Sequence, residues 1–121
     1  AKLVEFASAA PKLHVINALT DEEHPCQALA DMQTLQERLG DLNGRIVTFV
    51  GDGNNVAASL AHAGVMLGMI VRVASPKGYE LPEHVAADCA RVARGKGAVE
   101  IRFFNDNDLD RILEIVGVKI E

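Results

Sequence analysis

Two short runs hold the residues best able to do chemistry, and the first is His24-Pro25-Cys26-Gln27. Pro25 has no N–H to lose and suits the first position of a helix, which sets His24 at the helix entrance. Unpaired amides and the positive end of the helix dipole attract an anion there. The His24 imidazole and the Gln27 carboxamide can donate hydrogen bonds to a carbonyl or phosphate oxygen. The same turn also reads as a capping box of Thr20 and Glu23, with His24 an ordinary exposed cap. Cys26 is a weak nucleophile, because the sequence places no second group to activate it.

The second run is Gly51-Asp52-Gly53-Asn54-Asn55, which follows the strand-like stretch Arg-Ile-Val-Thr-Phe-Val at 45–50. Two glycines permit a tight strand-to-helix turn, and Asn54 can cap the helix that follows. The third glycine of a dinucleotide fingerprint is replaced by Val56, and no acidic residue closes the next strand, so nicotinamide binding is disfavoured. A turn plus a cap accounts for the glycines and Asn54. It leaves Asn55 over, a primary amide placed to hold an amino-acid substrate.

The other polar groups offer less. His62 lies mid-helix among alanines and reads as a packing residue, while His14 and His84 are isolated and no Cys/His spacing suggests zinc. Asp21, Glu22 and Glu23 read as a solvated approach to the helix. Asp106, Asp108 and Asp110 alternate, but lack the glycine and terminal glutamate of a calcium loop. No metal or organic cofactor is expected.

The elements that must position these groups alternate in period along the chain. Helical spacing runs through Leu3, Phe6, Ala7 and Ala10 up to Pro11, and through Leu29, Met32, Leu35 and Leu39 up to Gly40. Small apolar residues at 55–67 predict a helix packed closely on a sheet. Pro82, Val85, Cys89 and Val92 predict another, and Leu109, Ile112, Leu113 and Val116 a last one. Strands are expected at 13–19, 45–50, 69–74 and 99–104, with a short fifth at 118–120. Strands separated by helices imply a parallel sheet covered on both faces: an α/β fold, here a three-layer α/β/α flavodoxin-like (Rossmann-like) sandwich of four to five strands. Ligands of such sheets bind beyond the carboxyl ends of the strands, where loops 20–24, 51–54 and 75–81 gather.

With 121 residues, 49% apolar and 24% charged, the chain suits one domain spanning residues 1–121. A net charge of −5 opposes attraction to nucleic acid or anionic lipid. Only two cysteines, Cys26 and Cys89, argue against a disulfide scaffold. No apolar run approaches the ~20 residues that span a bilayer, and the first residues lack a secretory pattern. A cytoplasmic protein is expected.

Residues 12–97, with His-Pro-Cys-Gln, Asp-Gly-Asn-Asn and Val-Ala-Ser-Pro-Lys-Gly-Tyr-Glu in order, resemble the second, ornithine-binding domain of ornithine carbamoyltransferase. That family transfers a carbamoyl group from carbamoyl phosphate to the δ-amine of ornithine, yielding citrulline and phosphate in arginine biosynthesis. The resemblance implies that His24 and Gln27 contact the carbamoyl moiety and that Asn55 contacts the α-amino and carboxylate end of ornithine. The family's Ser-Thr-Arg-Thr phosphate grip, Ser-Met-Gly loop and Cys-Leu-Pro loop are not among these 121 residues, and residues 98–121 resemble the family least.

The expectation is therefore an isolated, engineered or chimeric piece that lacks activity alone and binds its small molecules weakly if at all. Self-association through an exposed sheet edge or the interdomain face is expected with it. Two alternatives stand beside this reading. One is a designed or recombined scaffold without ligand function, and the other is a phosphate- or nucleotide-binding module using loop 51–54.

Overall fold

β-Branched Ile46, Val47, Thr48 and Val50 with Phe49 make β1 (Ile46–Val50), a run whose side chains fit a pleated surface better than a helix. The computed structural model describes residues 2–10, 12, 14–93, 95 and 97–104. Within them the order is α1 (Lys2–Ala9), α2 (Pro25–Leu39), β1, α3 (Asn55–Met66), β2 (Ile70–Pro76), α4 (Glu83–Ala93) and β3 (Ala98–Phe104). The three strands form a parallel sheet in the order β1-β2-β3. Ile46 stands opposite Ile70, and Ile70 opposite Ala98.

Period-two alternation decides which face is covered. Val71 and Val73 of β2 are fully buried and pack with Ala57, Ala61 and Val65 of α3 and with Val85, Cys89 and Ala93 of α4. Each such valine contributes about 1.5–3 kcal/mol by leaving water. Val47, Phe49, Val99 and Ile101 close the cluster from the flanking strands. Small residues on α3 let it approach the sheet, and a Cβ on Gly64 would run into the Val71 methyl.

The opposite face carries Ile46 and Val50, which are exposed, and the cross-strand pair Arg72 Nε–Glu100 Oε2 at 2.7 Å. The second helical layer of the expected sandwich is not among the described residues. No helix there is long and apolar enough to cross a membrane.

Helix α2 leans on α3. Ala28 and Met32 are buried, and Met32 packs with Leu60, Leu42 and Met69, with Leu35 and Ala63 at the margin. The stripe expected through Leu29 and Leu39 is thus rotated: Leu29 is 65% and Leu39 45% exposed, and Ala28 takes the inward place. Gly40, at φ +74°, turns the chain out of the helix, and Arg45 covers its end by donating to the carbonyls of Leu39 and Asp41.

Among the described residues three of the four to five expected strands stand. Residues 14–19 form no strand. Their apolar alternation suits a strand, but among the described residues no strand pairs with them, and Val15, Ile16 and Leu19 are exposed. The expected helix through Leu109–Val116 and the strand at 118–120 lie outside the described residues. β2 runs two residues further than expected, because Ser75 and Pro76 still face Phe103 and Phe104 in register.

Candidate functional site

The mouth of α3 is built by local chemistry. Gly51, at φ +148°, leaves β1 in a conformation that favours glycine, and its N–H is held by the Ala74 carbonyl at 3.0 Å. The Asn54 carboxamide oxygen accepts from the N–H groups of Val56 and Ala57 at 3.0 and 3.2 Å, the expected cap. Asn55, the first helical residue, turns its amide outward from the helix and donates to the Thr20 carbonyl at 2.7 Å.

That hydrogen bond brings the segment before α2 onto α3. Thr20 closes its own turn, donating its N–H to the Glu23 carbonyl at 2.8 Å while its hydroxyl accepts from the Glu23 N–H at 3.1 Å. The Glu23 carboxylate does not reach back to Thr20, as a capping box requires. It crosses to α3, where it accepts from Ser59 Oγ and pairs with His62 Nδ1 at 3.2 Å. Ser59 Oγ in turn accepts the His24 backbone N–H at 2.9 Å.

Helix α2 itself starts at Pro25 with His24 as its cap residue, and no side chain caps it. Pro25 has no N–H, Ala28 donates its own to the His24 carbonyl at 3.2 Å, and the Cys26 and Gln27 amides between them lack an intrahelical acceptor. His24 Nδ1 is buried without a hydrogen-bond partner among the described residues. Gln27 lies exposed one turn along and donates to Asp31 at 2.9 Å. Cys26 is exposed, with its thiol toward the Asn17 carbonyl at 3.7 Å.

Loop 51–54 also meets the chain after β2. The Gly53 N–H donates to the Tyr79 carbonyl at 2.8 Å. A Cβ on Gly53 would collide with the backbone of Glu80 and Leu81. Loops 20–24, 51–54 and 75–81 are thus joined at one end of the sheet by Asn55 and Gly53. Beside them, the Gly78 N–H and then its own N–H hold the Glu80 carboxyl below the usual carboxylate range, with Lys77 adding attraction.

His24 and Asn55 accordingly share one corner, linked through Thr20 and Ser59, and Gln27 stands on the same helix mouth as His24. Glu23, Ser59 and His62 join this corner although none was expected there. Glu23 was expected in solvent, yet its carboxylate is partly buried against α3. The signal available was the i, i+3 spacing of Ser59 and His62, polar residues on one face of an otherwise apolar helix. Among the described residues no group of three or more His, Cys, Asp or Glu side chains is arranged to hold a metal.

A parallel α/β sheet whose polar groups gather at adjoining helix mouths belongs to the class of α/β domains that bind ligands beyond the carboxyl ends of their strands. The chain belongs to the aspartate/ornithine carbamoyltransferase family. Residues 43–114 match its Asp/Orn binding domain, and residues 1–37 match its carbamoyl-P binding domain. His24 and Gln27 therefore fall in one match and Asn55 in the other.

The ornithine carbamoyltransferase of Synechocystis sp. is 52% identical over 99 residues, covering 82% of this chain and 32% of the relative. That of Symbiobacterium thermophilum is 47% identical over 120 residues, covering 98% and 36%. The solved ornithine carbamoyltransferase of Pyrococcus furiosus superposes with a TM-score of 0.75 at 46% identity, over 84% of this chain and 33% of that one. The chain spans about a third of the length of the curated relatives it matches.

Proposed function

We propose that this chain supplies the carbonyl-polarising and acceptor-holding part of an ornithine carbamoyltransferase. In that role His24 and Gln27 donate to the carbamoyl oxygen of carbamoyl phosphate, stabilising the charge that develops there as the ornithine δ-amine attacks the carbonyl carbon. The C–O bond to phosphate then breaks, the amine loses a proton, and citrulline and phosphate result. Asn55 holds the α-amino and carboxylate end of ornithine. The observation that carries the reading is the joining of the His24 and Asn55 helix mouths through Thr20 and Ser59.

The 121 residues contain no Ser-Thr-Arg-Thr grip, so charge on the departing phosphate lacks its donors. A missing donor set costs several kcal/mol of transition-state stabilisation, or about a thousandfold or more in rate. Alone, the chain binds these small molecules weakly and does not turn over. Incubation with carbamoyl phosphate and ornithine, assayed for citrulline, is expected to give none above the uncatalysed rate. Sustained citrulline production overturns the inactivity. Ornithine rather than aspartate is the proposed acceptor, because the relatives near 50% identity are ornithine carbamoyltransferases. Titration with both amino acids checks it.

The exposed Ile16, Leu19 and Leu29 support self-association of the chain, tested by sedimentation against a concentration-independent monomer. The proposed setting is cytoplasmic, in arginine biosynthesis, and fractionation of the source cells checks the compartment.

A second reading, a designed or recombined scaffold without ligand function, draws on a specific observation. Gln27, Asn54 and Asn55 already spend amide groups on internal hydrogen bonds. Under it, neither carbamoyl phosphate nor ornithine binds.

A further inference from the structure

Glu23 makes contacts that a solvated helix approach does not need. Its carboxylate bridges Ser59 Oγ and His62 Nδ1, one turn apart on α3, and Ser59 Oγ also receives the His24 N–H at 2.9 Å. Ser59 is buried, and with its hydroxyl proton given to Glu23 its oxygen lone pairs face the His24 amide. The three bonds form a chain from α3 to the backbone of His24, the cap residue at the mouth of α2. They also run between the two family matches, since Glu23 and His24 lie in residues 1–37, and Ser59 and His62 in residues 43–114.

We propose that Glu23 is a positioning residue, which fixes the His24 backbone through Ser59, with His62 holding its second carboxylate oxygen. The proposal rests on the reading of His24 as a carbamoyl phosphate ligand and adds what sets its place. A carboxylate suits the task because it accepts from both groups at once, and hydrogen bonds to a charged acceptor are stronger than neutral ones. Freed from Glu23, the Ser59 hydroxyl can rotate and bond back to its own helix, as serines do. The His24 N–H then loses its acceptor, and the imidazole is presented over a wider range of positions.

The test is an NMR titration of the 121-residue chain with carbamoyl phosphate, following the His24 imidazole, alongside amide exchange of the His24 N–H. Glu23→Ala and Ser59→Ala are each expected to weaken carbamoyl phosphate about tenfold, the worth of one charge-assisted bond. The double variant is expected to lose no more than either alone, because both act on one chain of bonds. Glu23→Gln, which keeps an acceptor for Ser59, is expected to restore most of the affinity. Ser59→Ala guards against misfolding, since alanine fits a buried site on α3. The proposal is overturned if the single variants bind like the wild type, or if their losses multiply in the double. A wild-type chain that gives no response at His24 defeats the functional reading itself and the positioning role with it. In that outcome faster His24 amide exchange in Glu23→Ala assigns the bonds to folding alone.

Discussion

Asn55 at the start of α3 donates to the Thr20 carbonyl at 2.7 Å, although the two residues stand 35 positions apart in the chain. This amide fastens the start of the segment leading into α2, and the bonds of Glu23 and His24 to α3 hold its end. Asn55→Ala leaves a part-buried carbonyl unpaired and is expected to lower stability by about 1–3 kcal/mol. The adjacent Asn54→Ala removes only the α3 cap and is expected to cost about 1 kcal/mol. Denaturant unfolding measures both. Amide exchange separates them, because residues 20–24 are expected to lose protection only in Asn55→Ala.

Gly53 has no room for a side chain, since a Cβ would meet the backbone of Glu80 and Leu81 rather than a flexible tip. Gly53→Ala is expected to destabilise by about 1–3 kcal/mol or more, as overpacking against backbone does. It should also part loop 51–54 from the loop after β2. Thermal unfolding measures the first effect, and loss of Gly53 amide protection the second. An unchanged melting temperature contradicts the close approach.

These two residues also show what the sequence could and could not carry. Gly51, Gly53 and Asn54 were legible because turn and cap preferences act within a few residues, and Pro25 marked the start of α2 for the same reason. Strands β1 and β2 were legible from β-branched runs bounded by turns. The segment 14–19 was misread because its alternation is local, whereas a strand exists only with a partner to bond. Glu23 was misread because its partners Ser59 and His62 arrive through the packing of α2 on α3, which no window of neighbouring residues contains. The Asn55 amide was recognised as unexplained, but the Thr20 carbonyl that occupies it is likewise a long-range contact.

The two thiols should differ in reactivity. Cys26 is exposed, whereas Cys89 is fully buried. Burial pushes the Cys89 thiol up to about 11, with the Asp88 and Glu23 carboxylates adding to the shift. A maleimide at mildly alkaline pH is expected to label Cys26 in the folded chain and Cys89 only after denaturation. The raised Cys89 value stabilises the fold below the ordinary thiol range, and that contribution is lost as pH rises toward 11. Equal labelling of both thiols in the native chain contradicts the packing of α4.

Glu80 predicts a response in acid. Its carboxylate accepts the Gly78 N–H at 2.8 Å, and its pKa is lowered chiefly by that bond. The turn it closes is therefore supported above the usual carboxylate range and loosens as pH falls through the lowered value. The Gly78 amide proton shift should follow this titration with a midpoint below that of an ordinary glutamate. Glu80→Gln should abolish the titration. A midpoint at or above the ordinary value contradicts the turn.

The central claim is that the helix mouths of α2 and α3 form one ligand corner, and a residue-resolved NMR titration of the wild-type chain tests it most directly. Carbamoyl phosphate and then ornithine are predicted to shift the amides of residues 20–27 and 54–59. The groove at the other end of the sheet, lined by Met66, Leu67, Arg91 and Val92, is predicted to stay unchanged. Shifts confined to that groove, or none at either end, contradict the account.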